Sequence, residues 1–274
     1  MGSRTQRRRK AKKALAAVMD EPGKAVIIHY SCESFYGRGD APSPRITSIA
    51  VRHLRSEQAT SFSIQKVAEI RLGREYAKEK LDQQYDDFER QMLDEFYAYV
   101  KSHPDYNWMH WRMRDSNYGF AALAHRYRVL KGRPTDIPDD RLFDLASLLD
   151  DIYGPNYIND HKLYNLIDRN GMSRKDILDG SAEATAFEKA EYFKLHQSTL
   201  RKVVVMAHIA ERTYEGSLKT NAKWRDEYGW SADAVAEYVR ENRYAQILLA
   251  VLTVVGGVPA GIALIITLLA HGKH

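Results

Sequence analysis

The sequence predicts an α/β domain with a mixed sheet flanked by helices, followed by one C-terminal transmembrane helix. Two observations carry this prediction. Short apolar and β-branched runs near the N-terminus give way to helical periodicity from residue 74 onward. Close to the C-terminus, residues 247–270 carry no charged side chain. A polar body attached to an apolar anchor is therefore expected.

Four runs predict the strands of the sheet. Residues 24–30 (KAVIIHY) form a short apolar run, while residues 46–51 (ITSIAV) and 59–64 (ATSFSI) are rich in β-branched residues and separated by a polar turn. Residues 107–113 (NWMHWRM) predict a further short, buried strand. An opening hairpin followed by a strand beyond a helix predicts a mixed sheet rather than a repeated βαβ unit.

Helical periodicity accounts for most of the remaining body. Phe88, Met92, Phe96 and Val100 recur every four residues, which predicts one helix from Arg74 to Val100. Further helices are predicted over Tyr118–Leu130, Leu142–Tyr153, His161–Asn170 and Ala182–Tyr214, and an amphipathic connector over residues 219–246.

The apolar stretch at residues 247–270 predicts a single-pass membrane protein. As a helix these 24 residues rise about 36 Å, enough to cross a hydrocarbon core of roughly 30 Å. Arg240 and Arg243 precede the stretch and no secretory signal opens the chain, so the body is expected in the cytoplasm. Gly257 and Gly261, four residues apart, predict homo-oligomerisation through the span. Glycine is common in spanning helices, so a span without a partner is the alternative.

Positive charge is concentrated at the N-terminus. Residues 1–13 carry seven cations and no acid, whereas the whole chain has a net charge of +5, so the rest sums to −2. Residues 1–20 are therefore expected to form a flexible basic tail, in which Arg7, Arg8, Arg9 and Lys10 attract anionic lipid or nucleic acid. A tail that only promotes solubility is the alternative. The single cysteine, Cys32, excludes an internal disulfide.

Three short patterns suggest a site. The first predicted strand ends in Ser31-Cys32-Glu33; His110 stands five residues before Asp115 at the start of a helix; and His196 stands five before Arg201 in a late helix. In order and spacing these residues resemble the DEDDh family of 3′-5′ exonucleases. In that family four carboxylates hold two divalent metals and the late histidine is the general base.

The resemblance covers residues 24–218 and implies a ribonuclease-H-like fold with His196 in the catalytic position. Ser31 and Arg201 stand where the family has aspartates, and neither can replace a carboxylate as a ligand of Mg²⁺. We therefore expect Arg201 to take the place of the lost metal and to pair with Glu33, Asp115 or both. No cofactor is expected, although Mg²⁺ or Mn²⁺ on Glu33 and Asp115 would be needed by an active enzyme.

The predicted cleft for nucleic acid or nucleotide is thus lined by Ser31, Glu33, His110, Asp115, His196 and Arg201. Plainer interpretations remain open: Asp115 as a helix N-cap, Glu33 as an ordinary acid at a strand end, and His196 or Arg201 on a helix face without a site.

The predicted function is a membrane-anchored, catalytically inactive exonuclease-like protein that senses nucleic acid or nucleotide. Its architecture would suit a membrane effector in bacterial antiviral defence. The alternatives are an active metal-dependent 3′-5′ exonuclease, with acids such as Asp40 or Glu191 replacing the missing ligands, and a membrane scaffold.

Overall fold

The computed structural model describes residues 3–34, 43–73, 78–114 and 118–251. Asp115, Asp40, Gly257 and Gly261, together with most of the predicted span at 247–270, lie outside the described residues. The chain divides into two units, one formed by Leu15–Ser147 and Asn170–Leu218, the other by Met1–Ala14, Leu148–Arg169 and Lys219–His274. The first is called the sheet unit and the second the helical unit.

The sheet unit is built on five strands, in the order β3-β2-β1-β4-β5. The strands are β1 (Ala25–Cys32), β2 (Ile46–His53), β3 (Ala59–Ser63), β4 (Asn107–His110) and β5 (Leu142–Asp144). Strands β1, β2 and β3 pair antiparallel, whereas β4 and β5 are parallel to β1. The mixed sheet is therefore confirmed, with β5 added where the sequence predicted the first turn of a helix.

Helices flank this sheet. They are α2 (Ile64–Leu72), α3 (Lys78–Gln83), α4 (Tyr85–Ser102), α5 (Phe120–Val129), α8 (Gly180–Glu188) and α9 (Tyr192–Glu215), and α1 (Arg4–Met19) and α6 (Leu145–Tyr153) contribute residues to both units. Two predicted long helices are each divided: the first at Gln84 and the second between Glu188 and Tyr192. Ala190 has a φ of 51° there, a left-handed conformation that no α-helix continues through.

The two faces of β1 meet different partners. Val26, Ile28 and Tyr30 belong to one apolar core with α2, α4 and α5 residues such as Phe88 and Leu123. Side chains alternate along a strand, so His29 and Ser31 lie on the opposite face, where α9 packs against β1 and β2. The polar site described below lies on this second face.

The helical unit contains α7 (Lys162–Arg169), α10 (Trp224–Tyr228) and α11 (Ala232–Glu241), and residues 243–251 are helical as well. The predicted disorder of residues 1–20 is wrong, because residues 4–19 form α1. Arg8 contacts Glu241 at 2.7 Å and Arg9 contacts Glu237 at 2.8 Å, so acids distant in sequence neutralise the basic run. Burial opposes ionisation of Glu241, but hydrogen bonds from Arg8 and Lys12 lower its pKa to about 2.

Of the four cations predicted to attract lipid or nucleic acid, one is buried and three are exposed. Arg8 is buried, and its guanidinium lies 4.2 Å from the ring centroid of Tyr228. Arg7, Arg9 and Lys10 are exposed. Within the described residues, no helix is long and apolar enough to cross a membrane.

Candidate functional site

The candidate site lies at the end of β1, where Ser31 is buried beneath α9. Ser31 Oγ is 2.8 Å from Thr199 Oγ1, which is also 2.8 Å from Ser48 Oγ on the neighbouring strand. Residues 198, 199 and 202 share one face of α9 because helix positions three and four apart lie on the same side. Burial of Ser198 and Thr199 against the sheet follows from that face.

A carboxylate from α8 completes the cluster. Glu183 Oε1 accepts hydrogen bonds from Lys202 Nζ at 2.8 Å, Ser31 Oγ at 3.1 Å and Ser198 Oγ at 3.3 Å. The Lys202 side chain is only 4 % exposed, so its ammonium depends on this carboxylate for compensation. Glu183, Ser31, Ser198 and Lys202 are called the Glu183 cluster.

Two oxygens that can only accept, those of Glu183 and of the Leu195 carbonyl, fix the direction of two hydrogen bonds at the cluster. The carboxylate of Glu183 only accepts, so Ser31 donates its single hydroxyl proton to Glu183. Thr199 donates its own single proton to the carbonyl oxygen of Leu195 at 2.8 Å. Ser48, at the far end, donates to Thr199.

His29 lies on the same face of β1 and is buried. Burial, and then the positive charge of Lys202, lower its pKa well below the ordinary value. The imidazole is therefore neutral at pH 7. Tyr118 Oη donates to the carbonyl oxygen of Tyr30 at 3.0 Å and lies 3.3 Å from His29 Nδ1.

A cavity of about 480 Å³ borders the cluster. Its walls include Ser31, Glu33, Glu183, Tyr118 and Gly180. Tyr118 stacks on Tyr30 with ring centroids 4.5 Å apart. The volume falls in the range of small-molecule pockets, which is roughly 300–1,000 Å³.

Of the predicted cleft residues, the structure brings together Ser31 and Glu33 at this cavity. His110 lies elsewhere: it pairs with Ile28 in the parallel register, which places its side chain on the face opposite to Ser31. It is buried, with Nδ1 accepting the N–H of Met113, and burial lowers its pKa to about 4.

His196 also lies apart from the Glu183 cluster. Its pKa is lowered by burial and by Lys66, and raised in part by Glu69, both residues of α2. It therefore faces α2, whereas Lys202 faces β1. Among the hydrogen bonds of the described residues, His196 makes none to Ser31, whose partners are Glu183 and Thr199.

Arg201 does not take the predicted place either. Within the described part of the chain it forms no ion pair with a carboxylate, and the cation beside Ser31 is its neighbour Lys202. One residue turns a helix by about 100°, so the two side chains diverge. Glu33 receives a hydrogen bond from the backbone N–H of Arg45 at 3.3 Å. Its pairing with Asp115 falls outside the described residues.

Four residues of this region were not predicted from the sequence: Glu183, Ser198, Thr199 and Lys202. A faint signal was present, since Ser198, Thr199 and Lys202 are polar on the helix face that would otherwise be apolar. Glu183 had no such signal, because residues 182–214 were predicted as a single helix. The 19 residues between Glu183 and Lys202 would then span about 28 Å.

The cluster does not have the donor set of a magnesium site. Mg²⁺ prefers carboxylate oxygens in octahedral geometry, whereas here an ammonium and two hydroxyls surround one carboxylate. Among the described residues no three His, Cys, Asp or Glu side chains are grouped as a metal site would require. Comparison with protein-family models, curated protein sequences and solved structures finds no match to the chain.

Proposed function

We propose that residues 24–218 form an exonuclease-like domain that binds a nucleic acid end or a nucleotide without cleaving it. The observation that carries this proposal is the buried ammonium of Lys202, which lies beside Ser31 and pairs with Glu183 at 2.8 Å. Two-metal catalysis requires carboxylates that hold two cations roughly 3.5–4 Å apart. A fixed positive charge at the end of β1 disfavours that arrangement by repulsion.

The sheet supports the ribonuclease-H-like part of the proposal. An antiparallel hairpin precedes two strands parallel to β1, and the late helix α9 packs across β1 and β2. These features agree with the order of strands and helices on which the resemblance rests. Fold alone does not assign a function, so the polar site carries the rest.

Two assays on the full chain in detergent test the proposal. End-labelled single-stranded DNA and RNA are incubated with Mg²⁺ or Mn²⁺, and binding is measured by fluorescence anisotropy at a stated salt concentration. We expect binding without shortening of the strand. We also expect Lys202→Met to weaken binding at least tenfold, while Lys189→Met, at an exposed position, leaves it unchanged. Metal-dependent shortening would contradict the proposal.

An active exonuclease is the second candidate, and Glu183 is the observation that favours it. This acid stands next to Ser31 and borders the same cavity as Glu33. The replacement acids suggested by the sequence have less support: Asp40 lies outside the described residues, and Glu191 pairs with Lys194 at 2.8 Å. In this case Mn²⁺-dependent shortening would disappear in both Glu33→Gln and Glu183→Gln.

We further propose the single-pass anchor at residues 247–270, with oligomers formed through Gly257 and Gly261. Support comes from the helical residues 243–251, in which the side chains of Ile247, Leu248 and Val251 are about half exposed. Extraction of membranes with alkaline carbonate tests the anchor, and crosslinking of Gly257→Leu/Gly261→Leu tests the oligomer. A role in antiviral defence and a scaffold role stay predictions from architecture.

A further inference from the structure

We propose that Ser31, Ser198 and Lys202 form a cradle for a phosphate group, and that Glu183 occupies this cradle until a phosphate displaces it. The phosphate would belong to the end of a nucleic acid or to a free small molecule. This inference rests on the proposed function and names the chemical group that the site recognises.

The convergence of donors on one atom is the first observation. Three donors from two different elements, β1 and α9, meet at Glu183 Oε1 at distances of 2.8–3.3 Å. An oxygen of a phosphate presents the same anionic acceptor as a carboxylate oxygen. The donors would therefore serve a phosphate without rearrangement.

The donors are fixed, and this is the second observation. Ser31 is 1 % exposed, Ser198 0 % and Lys202 3 %. Ser31 already donates its proton to Glu183 Oε1, and Ser198 is held by the N–H of Leu178, which it accepts at 3.0 Å. Buried, pre-oriented donors bind an anion with little loss of conformational entropy.

The acceptor, in contrast, lies in the first turn of α8, away from the two residues that anchor this helix. Within α8, Ala186 is buried and Phe187 packs against Tyr85 and Tyr192 near the C-terminal end of the helix. The helix is bounded by its N-cap Asp179 and, beyond its C-terminus, by the left-handed Ala190. The apolar anchor thus lies at the C-terminal end of α8, so displacement of its first turn, which carries Glu183, costs less than opening the sheet.

Space for the incoming group is the third observation. The 480 Å³ cavity is lined by both Ser31 and Glu183, so a ligand reaches the cradle along the side chain that it would displace. Replacing one anion by another keeps the Lys202 ammonium compensated throughout. Lys202 therefore never becomes an unpaired buried charge.

The test compares Glu183→Gln with wild type in the full chain. The amide keeps the shape of the side chain but removes its charge, so it competes less for Lys202. We expect the affinity for inorganic phosphate, measured by isothermal titration calorimetry, to rise by about tenfold or more. Glu188→Gln makes the same charge change at an exposed position of the same helix and should leave the affinity unchanged.

A second arm separates the two sources of phosphate. Oligonucleotides with a terminal phosphate are compared with otherwise identical oligonucleotides that end in a hydroxyl. Preference for the phosphorylated end, strengthened in Glu183→Gln, assigns the cradle to nucleic acid ends. Tighter binding of inorganic phosphate alone assigns it to a free small molecule and leaves the nucleic-acid proposal without support.

The cradle is overturned if Glu183→Gln and Glu188→Gln bind phosphate equally. If nucleic acid still binds under that condition, with no dependence on the terminal phosphate, the proposed function survives and only the cradle fails. Lys202→Met should abolish phosphate binding in the Glu183→Gln background. Should that variant fail to fold, the two glutamine variants decide the question by themselves.

Discussion

Two buried ion pairs of the sheet unit differ in how completely the carboxylate is shielded from solvent. The pair of Glu89 with Arg126 is called the closed pair, and the pair of Glu183 with Lys202 the open pair. Glu89 is fully buried and uses both carboxylate oxygens: Oε1 accepts the N–H of Ile46 and Nε of Arg126, and Oε2 accepts Nη2 of Arg126 at 2.6 Å. The donors to Glu183 all reach the same oxygen, Oε1. The side chain of Glu183 is 17 % exposed and borders a cavity. The closed pair therefore stabilises the fold, whereas in the open pair another anion can replace the carboxylate.

The difference follows from where each acid is attached. Glu89 lies in α4, whose buried face includes Phe88, Met92 and Phe96. Burial raises the pKa of Glu89, and hydrogen bonds and charge from Arg126 oppose that rise. Glu183 lies in the first turn of α8, whose contacts with the core are made by Ala186 and Phe187 near the other end of the helix. The carboxylate of Glu89 is therefore held rigidly, whereas that of Glu183 can be displaced.

The largest expected effect comes from breaking the closed pair. Arg126→Met leaves Glu89 as an uncompensated buried charge, which should lower the free energy of unfolding by about 3–5 kcal/mol. Urea unfolding followed by tryptophan fluorescence measures this loss. Arg128→Met, two residues away and exposed, serves as the matched control. Equal stability of the two variants would remove the distinction between the pairs.

Breaking the open pair should cost less. Lys202→Met should lower the free energy of unfolding by about 1–3 kcal/mol, because Glu183 can turn towards the cavity and recover hydration. Combining it with Glu183→Gln should restore part of the loss, since no unpaired charge then remains. A Lys202→Met effect as large as that of Arg126→Met would show that the Glu183 pair is equally closed.

Acidic pH should lower the free energy of unfolding through His29. Its pKa is lowered in the folded protein by burial and then by Lys202, so below the ordinary value of 6.5 the unfolded state binds more protons. Stability therefore falls as pH falls below 6.5, by up to about 1.4 kcal/mol per pH unit for one histidine. His110, whose pKa is lowered to about 4, adds a second contribution of the same sign.

Unfolding of wild type and His29→Gln at pH 7.5, 6.5 and 5.5 measures the contribution of His29. The variant should show a smaller loss between pH 6.5 and 5.5 than wild type. Identical pH profiles would mean that His29 is protonated to the same extent in the folded and unfolded states.

The smallest effect should come from loosening α8 itself. Asp179 caps this helix by accepting the N–H of Ala182 at 2.8 Å, and Asp179→Ala should cost about 1 kcal/mol or less in unfolding free energy. If α8 covers the cradle, the same variant should bind inorganic phosphate several-fold more tightly. Asp179→Ser retains a capping oxygen and should behave as wild type. Unchanged phosphate affinity in Asp179→Ala would argue against displacement of α8.

The sheet was largely predictable because its signals are local. Strand β1 ends within two residues of its predicted end, and β2 and β3 fall on their β-branched runs. The short strand β5 was missed because three residues are too few for a period to be recognised. The breaks between consecutive helices at Gln84 and Ala190 were missed because neither proline nor glycine marks them.

The candidate site was predictable only in part. Ser31 and Glu33 line one cavity, and their proximity follows from their positions at the end of a single strand. Arg201 was predicted in the site because the resemblance supplied its position, and Lys202 was not considered, since a position in the sequence does not state which side of a helix faces the sheet. The disordered tail was predicted because the acids that pair with Arg8 and Arg9 stand more than 220 residues away.

By itself the sequence determined the strand runs, the uncharged stretch at 247–270 and the placement of Ser31 and Glu33 at a strand end. Those features depend on residues that are neighbours in the chain. Tertiary structure decided that Glu183 folds back onto Lys202 and that α1 is helical. Both outcomes depend on charges brought together across long separations, where Coulomb attraction and burial act on distance in space rather than on distance in sequence.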